Sequence, residues 1–154
     1  MGRAREGRDA PTDGSGRLEE RVVLTAVVVV GAVLRWHWLG QPIRYDEAVT
    51  WLEYASRPLA EGLSLYDLPN NHLFHTFLAH LATDALGSGV RALRLPAFLA
   101  GVLTVPATWA LGRRLYGRAA GLLSAAAVAI SPVLVLFSTN ARGYSLVVLA
   151  FVVL

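Results

Sequence analysis

From Val22 onward the chain alternates between long apolar runs and short polar joints. The first run, VVLTAVVVVGAVLRWHWL over residues 22–39, follows Arg21 and carries Arg35 near its end. Its roughly 18 residues reach ~27 Å as a helix, close to the ~30 Å hydrocarbon core of a bilayer. Trp36 and Trp38 are expected at the headgroup level, with Arg35 snorkelling towards water. A cleaved signal peptide is the competing reading, but the charged leader is long and no small-x-small site follows the run. Runs over 92–111 and 119–137 predict a second and a third span. Pro96, Pro106 and Pro132 interrupt them, which membrane helices tolerate where neighbours satisfy the freed carbonyls. The last run, 144–154, covers about half a bilayer and predicts a partial fourth span. A helix stopping there would leave its final carbonyls in hydrocarbon. The sequence is therefore expected to be the N-terminal fragment of a longer protein.

Between the first two spans the pattern changes. Residues 47–57, EAVTWLEYASR, predict a short helix in the loop 40–91. Residues 70–86 sort into two helical faces. Asn71, His72, His75, Thr76, His80, Thr83 and Asp84 form one, and Leu73, Phe74, Phe77, Leu78, Leu81 and Leu86 the other. So continuous a polar stripe points to a helix lying in the membrane interface rather than crossing it. Residues 1–17 are rich in glycine and charge without apolar periodicity, and predict a disordered tail. No internal repeat is apparent. The fold class that follows is an all-α polytopic membrane protein, with one transmembrane unit over 18–154.

Charge gives this pattern a direction. Apolar residues make up 55% of the chain, and no carboxylate follows Asp84, unlike the surface of a soluble domain. All 14 cations are arginine, a bias more often genomic than functional. A pI near 9.8 raises nucleic acid as a partner, but the arginines sit at the edges of apolar runs, where membrane topology explains them better. Arg3, Arg5, Arg8, Arg17 and Arg21 cluster in the leader, and Arg113, Arg114 and Arg118 in the joint GRRLYGR. The positive-inside rule assigns both clusters to the cytoplasm, so 40–91 and STNARGY face outward. With no cysteine, disulfides and thiolate metal sites are excluded.

The outward segments hold the candidate chemistry. Asp46 and Glu47 stand a few residues beyond the first span. One reading makes Asp46 the N-cap of the following helix. The other makes it a general base for a substrate arriving at the interface. His72, His75 and His80 share a face, and their spacing suits a metal, although histidines on a wet face need no ligand. Arg142 can hold a phosphate or simply mark the interface.

The segments RYDEA, NNHLFH, RLPAFLAGVLTVP, GRRLYGRAAGLL and STNARGYSL occur in this order. Together they resemble the N-terminal part of the bacterial family 39 glycosyltransferases, the protein O-mannosyltransferase-like group of GT-C membrane enzymes that includes the lipid A aminoarabinose transferases. The resemblance runs from about Val22 to the end. It implies transfer of a sugar (mannose-like, or another hexose or pentose) from a polyprenyl-phosphate donor to a lipid, glycan or protein acceptor on the outer face of the cell membrane. On it, Asp46 is the catalytic base, Glu47 an acceptor-positioning residue, His72 part of the substrate-binding Asn-His segment, and Arg142 a group near the donor phosphate. The sequence departs from the family pattern at Asn140, where an acidic residue is usual, and at Leu73 and Phe74, where prolines are common. No cofactor is implied with certainty, and Asn140 puts a divalent metal in doubt. The fragment by itself is expected to be inactive. The rival reading is a non-catalytic membrane protein, a transporter subunit or lipid-binding scaffold; transport would need ionisable groups within the spans, which here hold only terminal arginines.

Overall fold

A computed structural model describes residues 14–154. All regular structure among them is helical: α1 Gly14–Leu39, α2 Tyr45–Val49, a π-helical turn Thr50–Ala55, α3 Leu59–Ser64, α4 Leu73–Leu86, α5 Val90–Tyr116, α6 Arg118–Ile130, α7 Pro132–Ser138 and α8 Tyr144–Val153. Residues 1–13 of the expected tail lie outside the described residues. The remainder of that tail is helical, because the first turns of α1 have partners. Glu20 is buried, accepts a hydrogen bond from the Trp109 indole at 3.1 Å, and pairs with Arg113 at 3.3 Å.

Two helices, α1 and α5, are long and apolar enough to cross a membrane. Helices α6 and α7 together satisfy the same test but bend by 61° where they meet. The protein is an all-α membrane protein, as the apolar runs predict. Helix α5 is its axis, packing against α1, α4, α6, α7 and α8. Where α5 crosses α6 the backbones nearly touch. A Cβ on Gly121 would stand 2.7 Å from the Trp109 carbonyl oxygen, so only glycine fits this crossing. Val105, Ala125 and Ala129 fill the seam, with Leu24, Val27 and Val28 of α1 against them. Outward-facing Val29, Val33, Leu123 and Phe151 leave an apolar exterior suited to lipid.

Arg35 does not snorkel. It is fully buried, because the α6–α7 bend creates acceptors for it. Pro132 has no N–H to offer the carbonyl of Val128, four residues earlier, and the change of direction strands Ala129 as well. The Arg35 guanidinium donates to Val128 at 3.2 Å, to Ala129 at 2.9 Å, to Gly31 at 2.9 Å and to the Ser138 hydroxyl at 3.1 Å. The neighbour that a proline in a membrane helix requires is therefore an arginine from another span.

Helix α4 inverts the expected placement of its faces. His75, Thr76, Ala79 and Thr83 are buried, while Leu73, Phe74, Leu81 and Leu86 are exposed. The polar stripe looks into the protein, towards the π-turn, α3 and α5. Part of it stitches the loop together. Asn71 donates to the carbonyls of Gly62 and Leu65 and accepts from the Thr76 hydroxyl, and His80 Nδ1 sits 3.0 Å from the Ala55 carbonyl oxygen.

Candidate active site

At the Leu39 end of the bundle, α1 stops and residues 40–44 lead into α2, whose preceding residue, Arg44, is extended with φ −91° and ψ 160°. This makes Tyr45 the first helical residue and places Asp46 and Glu47 second and third. Asp46 is therefore not the cap, contrary to the capping reading of the sequence. Glu47 does that work, accepting the Arg44 backbone N–H at 2.9 Å.

The two adjacent carboxylates then part company. Glu47 is fully buried, and each of its oxygens accepts two hydrogen bonds. Oε1 takes Arg94 Nε and the Ala141 amide, both at 2.7 Å; Oε2 takes Arg94 Nη2 at 2.6 Å besides Arg44. Burial pushes the Glu47 pKa up, but the hydrogen bonds from Arg94, Arg44 and Ala141, with the Arg94 charge, hold it below the ordinary carboxylate value. Arg94 spends its remaining donors on the carbonyls of Leu39 and Gln41, each at 2.8 Å, and Pro42 at 3.1 Å. Cations suit helix C-termini, where carbonyls lack partners. One ion pair thus fastens the end of α1, the start of α2, the start of α5 and the segment after α7.

Asp46 faces the other way. Its side chain is 49% exposed and accepts from Arg142 Nη1 at 2.7 Å. Arg142 also donates through Nε to His72 Nε2 at 3.2 Å, and its guanidinium lies 5.2 Å from the centre of the Tyr144 ring. Since His72 accepts at Nε2, its proton is assigned to Nδ1. Burial, and then the Arg142 charge, lower the His72 pKa. Gly143 lets this histidine close in, since a Cβ there would stand 3.2 Å from the imidazole. Beside the cluster opens a cavity of about 330 Å³ lined by His72, Leu73, His75, Gly143, Leu146 and Val147.

The structure thus brings Asp46, His72 and Arg142 into one contact chain, although 96 residues separate Asp46 from Arg142. Glu47 adjoins them but presents no surface to a ligand. His72, at the start of α4, and His75 and His80 within it do not converge, since His72 turns to Arg142, His80 to Ala55, and His75 is buried without a partner. Among the described residues no group of three or more His, Cys, Asp or Glu side chains could hold a metal. Asn140, which stands where an acid was expected, has a buried Oδ1 with no partner. Sequence reasoning overlooked Arg94. A buried carboxylate needs a cation, and an arginine inside the apolar run 92–111 was the available signal.

A helical membrane bundle with a half-exposed carboxylate, an arginine and a histidine gathered at one end defines a class: membrane proteins with a polar site beside the bilayer. Residues 70–154 match the family of dolichyl-phosphate-mannose-protein mannosyltransferases, and, with more than half of its length matched, the chain belongs to that family. No curated protein and no solved structure matches the chain. The family points to sugar transfer at a membrane.

Proposed function

We propose that the protein transfers a mannose-like hexose from a polyprenyl-phosphate donor to a lipid, glycan or protein acceptor, with Asp46 as general base. The observation carrying this reading is the 2.7 Å contact between half-exposed Asp46 and Arg142 at the end of the bundle. A lipid phosphate is already a competent leaving group, so the reaction needs one base and one cation more than it needs a general acid. A donor phosphate reaching Arg142 competes with Asp46 for the guanidinium. That exchange clamps the leaving group and releases the carboxylate to accept the proton of an acceptor hydroxyl. The oxygen then attacks the anomeric carbon as the phosphate departs, with inversion in one in-line step. His72 orients Arg142, and Glu47 acts from behind, fixing the Ala141 amide and hence the neighbouring Arg142 rather than touching the acceptor. The arginine clusters favour a cytoplasmic N-terminus in the cell membrane and a site on the outer face.

The transporter reading requires an ionisable path through the spans. Arg35 and Arg94, the buried cations of α1 and α5, are committed to protein acceptors, which disfavours it. The test uses membranes containing the complete gene product and labelled polyprenyl phosphate mannose. Asp46→Asn is expected to lower transfer by ~10²–10⁴-fold, the range for a lost general base, with membrane insertion unchanged. Wild-type rates in that variant would sink the assignment.

A further inference from the structure

His75 is 1% exposed, and neither of its ring nitrogens has a hydrogen-bond partner. Its neighbour Thr76, equally buried, is satisfied by Asn71. An unmet donor and acceptor inside a protein are destabilising, and a leucine or phenylalanine would avoid the penalty. The residue also belongs to the wall of the roughly 330 Å³ cavity, three positions beyond His72, with both ring nitrogens shielded, so a ligand there meets them once the ring turns about its side-chain torsions. Burial, and then proximity to His72, push its pKa down to about 4, with Glu47 opposing. At neutral pH it is an uncharged ring with one N–H and one lone pair.

Such a group suits a neutral hydroxyl, whereas an anionic phosphate is better served by Arg142. The cavity is at the small end of ligand sites, of a size for one sugar ring. Leu146, Val147 and Ala150 of α8 supply an apolar wall for the C–H face of that ring. We propose that His75 is the sugar-binding residue of this site, hydrogen-bonding a hydroxyl of the hexose while Arg142 holds the phosphate to which it is attached. The proposal rests on the donor reading given above. It adds a division of labour: phosphate at Arg142, which His72 contacts, and sugar at His75, three residues on from His72.

The test measures binding to the complete gene product in lipid nanodiscs, using polyprenyl phosphate mannose and sugar-free polyprenyl phosphate as probes. His75→Phe is expected to weaken the mannosylated probe about tenfold or more, the effect of losing one or two neutral hydrogen bonds. Binding of the sugar-free lipid should stay within about twofold, and the ligand-free melting temperature should hold or rise, because an unmet polar group has been removed. His75→Leu serves the same purpose should phenylalanine overpack, and His75→Gln should restore part of the sugar-dependent affinity. Equal weakening of both probes, or no weakening of either, would overturn the role of His75 and leave the donor reading standing. Failure of the wild-type protein to bind either probe would overturn both.

Discussion

At the scale of single residues, the adjacent pair Asp46 and Glu47 shows how one residue of helical offset separates chemistry from architecture. Both carboxylates were legible in the sequence as an anomaly beside an apolar run. Their division was not, because it depends on Arg94 and Ala141, which lie far along the chain and reach Glu47 only in the folded bundle. Arg94→Met should therefore cost ~3–5 kcal/mol, since it strands a buried carboxylate. The double variant Glu47→Leu with Arg94→Met should recover much of that loss in thermal unfolding; a double variant no better than the single would refute the pairing as the cause. Acid should reveal two separate titrations. The folded pKa of Glu47 lies below its ordinary 4.5, so its stabilising contribution is complete above that pH and is lost as pH falls through the lower folded value. His75 falls from 6.5 to about 4 on folding, so the unfolded chain binds the extra proton between those limits and stability drops as pH is lowered across that window. His72 and Glu47 are the charged neighbours acting on it, in opposite senses. Melting temperatures measured from pH 7 to 4.5 should decline less steeply in His75→Phe than in the wild type. An identical slope would mean that His75 takes up no proton on unfolding in that range.

Among elements, the long apolar helices were readable from run length alone, since a bilayer demands a set number of apolar residues. Their bends and facing were not. Helix α4 has a polar and an apolar side in the sequence, yet amphipathicity does not say which side faces water. Here Asn71, Thr76 and His80 of the polar side find partners in or beside the loop, His72 meets Arg142, and the leucines are left outside. Short α3 escaped notice because it has few residues and no strong period, and Asn71 at the end of the following loop is what ties it to α4. The α6–α7 elbow likewise depends on a distant arginine. Pro132 signals a break, but the angle is set by Arg35 gathering Val128, Ala129 and Ser138. Arg35→Met should leave the Val128 and Ala129 carbonyls unmet at ~1–3 kcal/mol each. Gly101→Ala should act on the same joint, because its Cβ would overlap the Ser138 hydroxyl, and overpacking of this kind costs ~1–3 kcal/mol. Both variants should melt earlier than the wild type. Because the elbow delivers Arg142 to Asp46, both should also raise the KM for the lipid donor more than they lower kcat. Wild-type melting in either would refute the arginine-filled elbow as a structural joint.

For the whole molecule, two charged ends decide what the protein can reach. At one end Glu20 meets Arg113 and Arg118 where α1 begins and α5 turns into α6 through Gly117, a glycine with φ +88°. At the other end lie Asp46, Glu47, His72, Arg94 and Arg142. Helices α1 and α5 run between them, so the two clusters face opposite sides of any membrane these helices cross. The first end is arginine-rich, and the positive-inside rule, which counts arginines and gives acids little weight, favours the cytoplasm for it. On that proposed orientation the Asp46 end would open on the outer face, where a lipid-borne donor could meet an acceptor outside the cell. Absence of cysteine makes this directly measurable. Tyr66, 75% exposed in the loop before α4, and Tyr116, 80% exposed at the end of α5, mark the two sides. In intact cells an impermeant thiol reagent should label Tyr66→Cys and spare Tyr116→Cys, and permeabilisation should expose the second. Labelling in the reverse order would place Asp46 in the cytoplasm. The same side chains would then face cytoplasmic acceptors, and transfer to the cell exterior would no longer be available to them.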